Sequence, residues 1–312
     1  MYHRAFKQIA VMCLAVLMLM IRVSVVSASV EASHIETTYA AEILELDGAR
    51  TTDDDIVICL DAGHGGETDG AIYAYYDVLV TEKKLNLEIA LKLKEELEKY
   101  ENVQVIMTRT TDETLEINPR VEYALANDAD YLISIHNNAV GGDDRTKNGC
   151  MVLSTVSHYQ PENAKHADIY GASEKLSLAI IGKLTELGIP LATELGAQEN
   201  GVVKRPYSPE GQAKTTRYYP DDSVADYYGL IRGGVKAGIP TIIIEHAYVS
   251  SEQDYRNYLS SDEALAALAE ADAQGIAQAL GLVRRESEEP EKELAGLLQS
   301  ALQILPWSTI ER

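Results

Sequence analysis

Four side chains in this sequence could hold a divalent metal or move a proton, and all but one stand where an apolar run gives out. Ile56-Val57-Ile58-Cys59-Leu60 runs into Asp61-Ala62-Gly63-His64-Gly65-Gly66. Tyr131 to Ile135 ends in His136-Asn137-Asn138, and Pro240 to Ile244 ends in Glu245-His246. The exception, Glu82, follows Thr81 at the head of a helical pattern, 18 residues after His64. Two imidazoles and one carboxylate form an open ligand set for Zn²⁺, leaving a fourth position for water. Glu245 would stand beside that water as a general base. Each piece also has an ordinary structural role. Glu82 suits the first turn of a helix, where the dipole favours a negative charge. Glu245 suits a strand-end salt bridge, and His3, His34, His158, His166 and His246 are expected to be hydrogen-bonded structural histidines. Gly63, Gly65 and Gly66 suit a tight turn; as a phosphate cradle they lack the Gly-Lys-Ser/Thr that would follow. What favours a metal is the gathering of these types at one sheet edge.

That edge requires strands that end together. Short β-branched runs predict buried strands over 56–60, 103–107, 131–136, 150–153 and 240–245. Between them, apolar spacing predicts a helix from Glu82 to about Tyr100, carrying Ile89, Ala90, Leu93 and Leu97 on one face. Further helices are expected from Asn118, over Ser173 to Leu187, and over Asp262 to Leu280. Strands alternating with helices give an α/β fold with a mostly parallel sheet flanked by helices, in a single catalytic domain over 56–282. In open sheets of this kind ligands bind off the carboxyl ends of the strands. Residues 188–228, with four prolines and many Tyr and Asp, are expected to be irregular.

The rest of the chain bounds the class. Its 312 residues are enough to bury a sizeable core. With 27 basic against 49 acidic residues, the net charge of −22 argues against a nucleic-acid partner. His3, Arg4 and Lys7, the apolar run Ile9 to Met20 and the exit Val26-Ser27-Ala28 predict a secretory signal over 1–28. The apolar run is shorter than the ~20 residues a spanning helix needs, so no stable membrane span is expected once the signal is removed. A polar leader over 29–55 follows. Cys59 and Cys150 are expected to be buried thiols. Past the domain, 283–312 reads as an acidic linker and a short amphipathic helix built on Leu294, Leu297, Leu298, Ala301, Leu302 and Leu305.

Asp61-Ala62-Gly63-His64-Gly65-Gly66-Glu67-Thr68-Asp69-Gly70-Ala71 resembles the opening motif of the zinc-dependent N-acetylmuramoyl-L-alanine amidases of the amidase-3 type. Further likenesses follow in that family's order: Glu82-Lys83-Lys84-Leu85-Asn86-Leu87, Thr108-Arg109 with Asp112, Arg120 with Ala126-Asn127, Ser134 through Ala139, and Pro240 through Glu245. The resemblance covers roughly 56–280. It implies one Zn²⁺ per chain held by His64, Glu82 and His136, with Glu245 as catalytic acid/base. The bond cut would join the lactyl group of N-acetylmuramic acid to L-alanine of the stem peptide. Asn137 and Arg232, in family-like segments, are expected to touch substrate. Peptidoglycan is then the partner, and the protein a secreted, wall-associated hydrolase. The alternatives are a zinc peptidase acting on another wall bond and a non-catalytic wall-binding protein. The sequence departs from the family after Glu245, where His246-Ala247-Tyr248-Val249-Ser250-Ser251 replaces the usual Thr-Gly-Phe-x-Ser/Thr-Asn.

Overall fold

The computed structural model describes residues 55–141, 144–195, 197, 199–207 and 217–285. The expected signal, nearly all of the polar leader and the C-terminal amphipathic segment lie outside the described residues. In chain order the elements are β1 (Ile56–Ala62), β2 (Ile72–Tyr75), β3 (Val78–Thr81), α1 (Glu82–Leu97), β4 (Val103–Met107), α2 (Ile117–Ala126), β5 (Tyr131–Asn138) and β6 (Met151–Ser154). They continue with α3 (Ile169–Glu186), β7 (Val202–Lys204), α4 (Gly229–Ala237), β8 (Thr241–Tyr248), α5 (Glu252–Asp254), a π-helical turn over Tyr255–Leu259, and α6 (Asp262–Leu280).

Six strands form one sheet in the order β4-β1-β5-β8-β6-β7. The first four are mutually parallel; β6 runs antiparallel to β8, and β7 parallel to β6. Successive side chains on a strand face opposite ways, and here both faces are covered. Ile58, Leu60, Ile133, Ile135, Ile242 and Ile244 join α1, α3 and α6 in one core layer. Cys59, Leu132 and Ile243 join α2 and α4 in the other. Burial on both faces is why these strands read as unbroken apolar runs.

The structure alters three expectations. Residues 188–228 are not wholly irregular, because β7 lies within them. Residues 72–81, for which no strand was expected, form the β2–β3 hairpin. Its two-residue turn places Tyr76 at φ 54°, without the Asn-Gly or Asp-Gly that normally announces such a turn. The last strand runs on past Glu245 to Tyr248.

Candidate active site

The site begins with how α1 starts. Thr81 makes no side-chain cap; instead the backbone N–H groups of Glu82 and Lys83 donate to the carbonyls of Ala71 and Asp69, at 2.8 and 3.1 Å. The hairpin thus delivers the first turn of α1 to the loop that carries His64. Glu82 Oε1 lies 3.1 Å from His64 Nε2 and 2.9 Å from His136 Nδ1, while Oε2 accepts from the Ala71 N–H at 2.9 Å. The imidazoles meet edge to face at 4.9 Å. Glycine is required twice for this approach. A Cβ on Gly63 would stand 2.1 Å from the His136 ring, and one on Gly70, at φ 67°, 2.5 Å from Glu82 Oε2.

The three residues fit a metal. Their donor atoms all lie within 4.8 Å of one another. Ligands ~2.0–2.1 Å from a tetrahedral Zn²⁺ stand roughly 3.3 Å apart, and the set is the mixed imidazole and carboxylate donors that zinc takes. Burial raises the Glu82 carboxyl, but hydrogen bonds from His136 and His64 outweigh it and hold the group well below the usual carboxylate range. The group is therefore kept as an anion, the form that ligates.

Glu245 stands opposite His136 in the β5–β8 register. It makes no ion pair among the described residues, so the strand-end salt bridge does not form. Its Oε2 is shut off from water and has no hydrogen-bond partner among them. Burial, and then the negative charge of Glu82, push its carboxyl well above the ordinary range.

A second ring of residues fixes these four. Asn86, one helical turn after Glu82, donates to Glu82 Oε1 and to the Gly63 carbonyl at 3.3 and 3.2 Å. Arg120, 5% exposed, donates to the His64 and Ala62 carbonyls and to Asp61, whose carboxylate also accepts from Thr108 and Ser134. Arg109, 2% exposed, donates to the carbonyls of Ala62, Gly63 and Lys83. Both arginines thus hold the backbone of the His64 loop. His246 is structural, as expected, yet it backs the site: one ring nitrogen lies 3.0 Å from the His136 carbonyl and the other 2.7 Å from Asp272 on α6.

Asn137 and Arg232, the expected substrate contacts, both have partners within the protein. Asn137 is buried, and its amide donates to Asn86 at 2.9 Å; it braces the ligand carboxylate from behind because β5 turns it inward. Arg232 donates to the Asp226 and Tyr227 carbonyls. Asn86, Arg109, Arg120 and Asp272 were given no role from sequence. The first three stand in the family-like segments, and Asn86 also lies at i, i+4 from Glu82; nothing in the sequence pointed to Asp272.

Together the fold and site define an α/β domain with a His–Glu–His cluster able to hold a metal at the carboxyl edge of its parallel strands. The chain belongs to the amidase-3 family, described as N-acetylmuramoyl-L-alanine amidase, whose model matches residues 58–278. It is 27% identical over 206 residues to a probable N-acetylmuramoyl-L-alanine amidase, AmiB of Haemophilus influenzae, covering 64% of this chain and 46% of that one. It is 34% identical over 134 residues to N-acetylmuramoyl-L-alanine amidase AmiC of Escherichia coli, covering 41% and 31%. The match thus spans 31% to 46% of these relatives' length. Among solved structures, the catalytic domain of CwlV, an N-acetylmuramoyl-L-alanine amidase from Bacillus (Paenibacillus) polymyxa, superposes with a TM-score of 0.51 at 22% identity over 72% of this chain and 98% of that one. Amidase AmiC2 of Nostoc punctiforme gives 0.52 at 23% identity, over 72% and 97%. These structures share the fold.

Proposed function

We propose that the protein is an exported cell-wall hydrolase that cleaves the amide between the lactyl group of N-acetylmuramic acid and L-alanine of the peptidoglycan stem peptide. One observation carries this reading. The pairing of His136 with Glu245 across β5 and β8 sets an unpartnered carboxyl beside the His64–Glu82–His136 cluster in a chain of the amidase family.

His64, Glu82 and His136 would hold one Zn²⁺, which when bound supplies Lewis-acid polarisation of the carbonyl and a nucleophilic water near neutral pH. The protein's own part is positioning and proton movement. Arg109 and Arg120 hold the His64 loop through backbone carbonyls, and Asn86 fixes the Glu82 carboxylate. Glu245, with its carboxyl raised by burial and by Glu82, takes the proton of the attacking water and returns it to the amine of the departing L-alanine. The products are a lactyl carboxylate on the sugar and a stem peptide with a free amino terminus.

Export is supported by the basic start, the apolar run and the small-residue exit of residues 1–28. Among the described residues no helix is long and apolar enough to cross a membrane. The deciding experiment is digestion of purified peptidoglycan followed by mass spectrometry of the new ends. Free L-alanine amino termini and sugars with intact lactyl groups are expected. Cuts inside the peptide or between sugars overturn the reading.

A further inference from the structure

Beyond β7 the chain builds a small platform from residues 205–207 and 217–228. Backbone bridges join Pro206 to Asp226 and Tyr218 to Val224. Tyr207 N donates to the Ala225 carbonyl at 2.7 Å, and Tyr227 N to the Arg205 carbonyl at 2.9 Å. Asp226, 1% exposed, anchors the platform to the end of β6: it accepts from Thr155 at 2.8 Å, from the Val156 N–H at 2.7 Å and from the Tyr219 hydroxyl at 2.6 Å.

This platform carries three guanidinium groups on tyrosine rings. Arg205 lies over Tyr227 at 3.8 Å, and Arg217 and Arg232 over Tyr207 at 5.0 and 5.5 Å. The Tyr207 and Tyr227 rings are themselves 5.9 Å apart. In a chain with 49 acidic residues, cations ordinarily find acids. Lys83, Lys147, Lys165 and Lys204 each pair with carboxylates. Arg205, Arg217 and Arg232 form no ion pair among the described residues; their partners are rings, the Tyr228 hydroxyl for Arg205 and two backbone carbonyls for Arg232. Stacked on an aromatic face, a guanidinium keeps its edge of N–H donors free for a planar carboxylate. The charge of Asp226 reaches Arg232, whereas Arg205 and Arg217 lie over rings and make no ion pair among the described residues.

The platform shares a face of the sheet with Glu245, and Tyr228 stands between them. Arg205 and Val203 point to the same side of β7 and its extension by strand alternation, and Val203 belongs to the core layer that Ile243 shares. Glu245 follows Ile243 on that side of β8. Tyr228 leads from the platform into α4. Burial raises its hydroxyl, Arg205 bonds to it, and the negative charge of Glu245 reaches it.

We infer that Arg205, Arg217 and Arg232 bind the carboxylates of an acidic peptide whose scissile end lies at Glu245. The inference rests on the amide hydrolysis proposed above and makes a free stem-peptide carboxylate the feature that this enzyme selects.

The test uses two muropeptides that are identical except that the glutamate carboxyl of the stem is free in one and amidated in the other. Wild-type protein should favour the free acid by about tenfold in kcat/KM, through KM, the scale of one good charge-assisted contact. In the Arg205→Gln, Arg217→Gln double variant that preference should fall to within about twofold of unity, while the charge-keeping Arg205→Lys, Arg217→Lys pair retains most of it. A wild type that treats both alike, or a glutamine variant that keeps the preference with a native circular dichroism spectrum, overturns the inference. A titration of the wild type with the same two peptides lacking the sugar, followed by the arginine side-chain N–H resonances, reads the cluster without turnover. If neither muropeptide is cut, the hydrolase reading fails on its own. Arginine signals that move with the acid peptide and not the amide still support the cluster, and signals that move with neither overturn it.

Discussion

Glu82 is both buried and charged, a combination that costs several kcal/mol unless partners offset it. His64, His136, Asn86 and the Ala71 N–H are those partners. Glu245, on the adjoining strand, has none for its Oε2 among the described residues, and that contrast separates the two roles. Glu245→Gln keeps the shape and removes the proton carrier. It should lower turnover on peptidoglycan by ~10²–10⁴-fold with zinc content unchanged, as measured by plasma mass spectrometry beside a dye-release assay. A loss below about tenfold would remove Glu245 from the acid/base role, and loss of zinc would make it a ligand. The cluster is tested separately. Purified protein should hold about one zinc per chain, chelation should abolish activity, and added Zn²⁺ should restore it. His64→Ala or His136→Ala should empty the site. Full activity in metal-free protein would rule out the ligand assignment.

At the scale of elements, β8 must hold Glu245 in register with His136, and α6 helps through a buried pair. Burial alone would lower the His246 pKa, but the charge and hydrogen bond of Asp272 outweigh it and raise the imidazole above its ordinary value. A histidine that binds its proton more tightly in the fold contributes stability in full below about pH 6.5, and that contribution is lost as pH rises through the raised native value. Asp272→Asn should therefore cost ~3 kcal/mol in urea unfolding at pH 6 and clearly less at pH 9; an equal cost at both would show that the pair is not ionic. What could be read of these elements from sequence follows from how strongly each is patterned. α6 emerges over Asp262–Leu280 as expected, because its apolar spacing is sustained and Ser261 caps it. β1, β5 and β8 show because both faces are apolar. α4 does not, because Gly233 and Gly234 sit in its middle and glycine is a poor helix former; tertiary packing against α2 and β8 overrides that preference. The β2–β3 hairpin hides behind a turn led by a tyrosine. The candidate ligands were legible because they follow strands or start a helix. Arg109 and Arg120 stand in the family-like segments, but their task was not legible, since an arginine that serves two or three distant carbonyls looks in sequence like any surface charge.

On the scale of the whole domain, the sheet joins two apolar layers that share their strands. Cys150 lies in the layer with α1, α3 and α6, and Cys59 in the layer with α2 and α4. Neither layer can open without stripping the backs of β1, β5 and β8. Each side chain so exposed forfeits ~1.5–3 kcal/mol, so the layers should unfold as one unit. The thiols report on this directly. Burial pushes Cys150 up to about 12, and burial with the negative charge of Asp61 pushes Cys59 higher still, so the reactive thiolate is scarce in the native state. Both cysteines are free and fully covered. In native protein at pH 8, iodoacetamide should leave Cys59 and Cys150 unmodified over hours. Along a urea series, peptide mass spectrometry should find both labelled with one midpoint, and that midpoint should coincide with the loss of far-ultraviolet circular dichroism. If Cys59 labels at lower urea than Cys150, the α2–α4 layer opens first. That layer carries the rows of His136 and Glu245, so the site would then melt before the domain does.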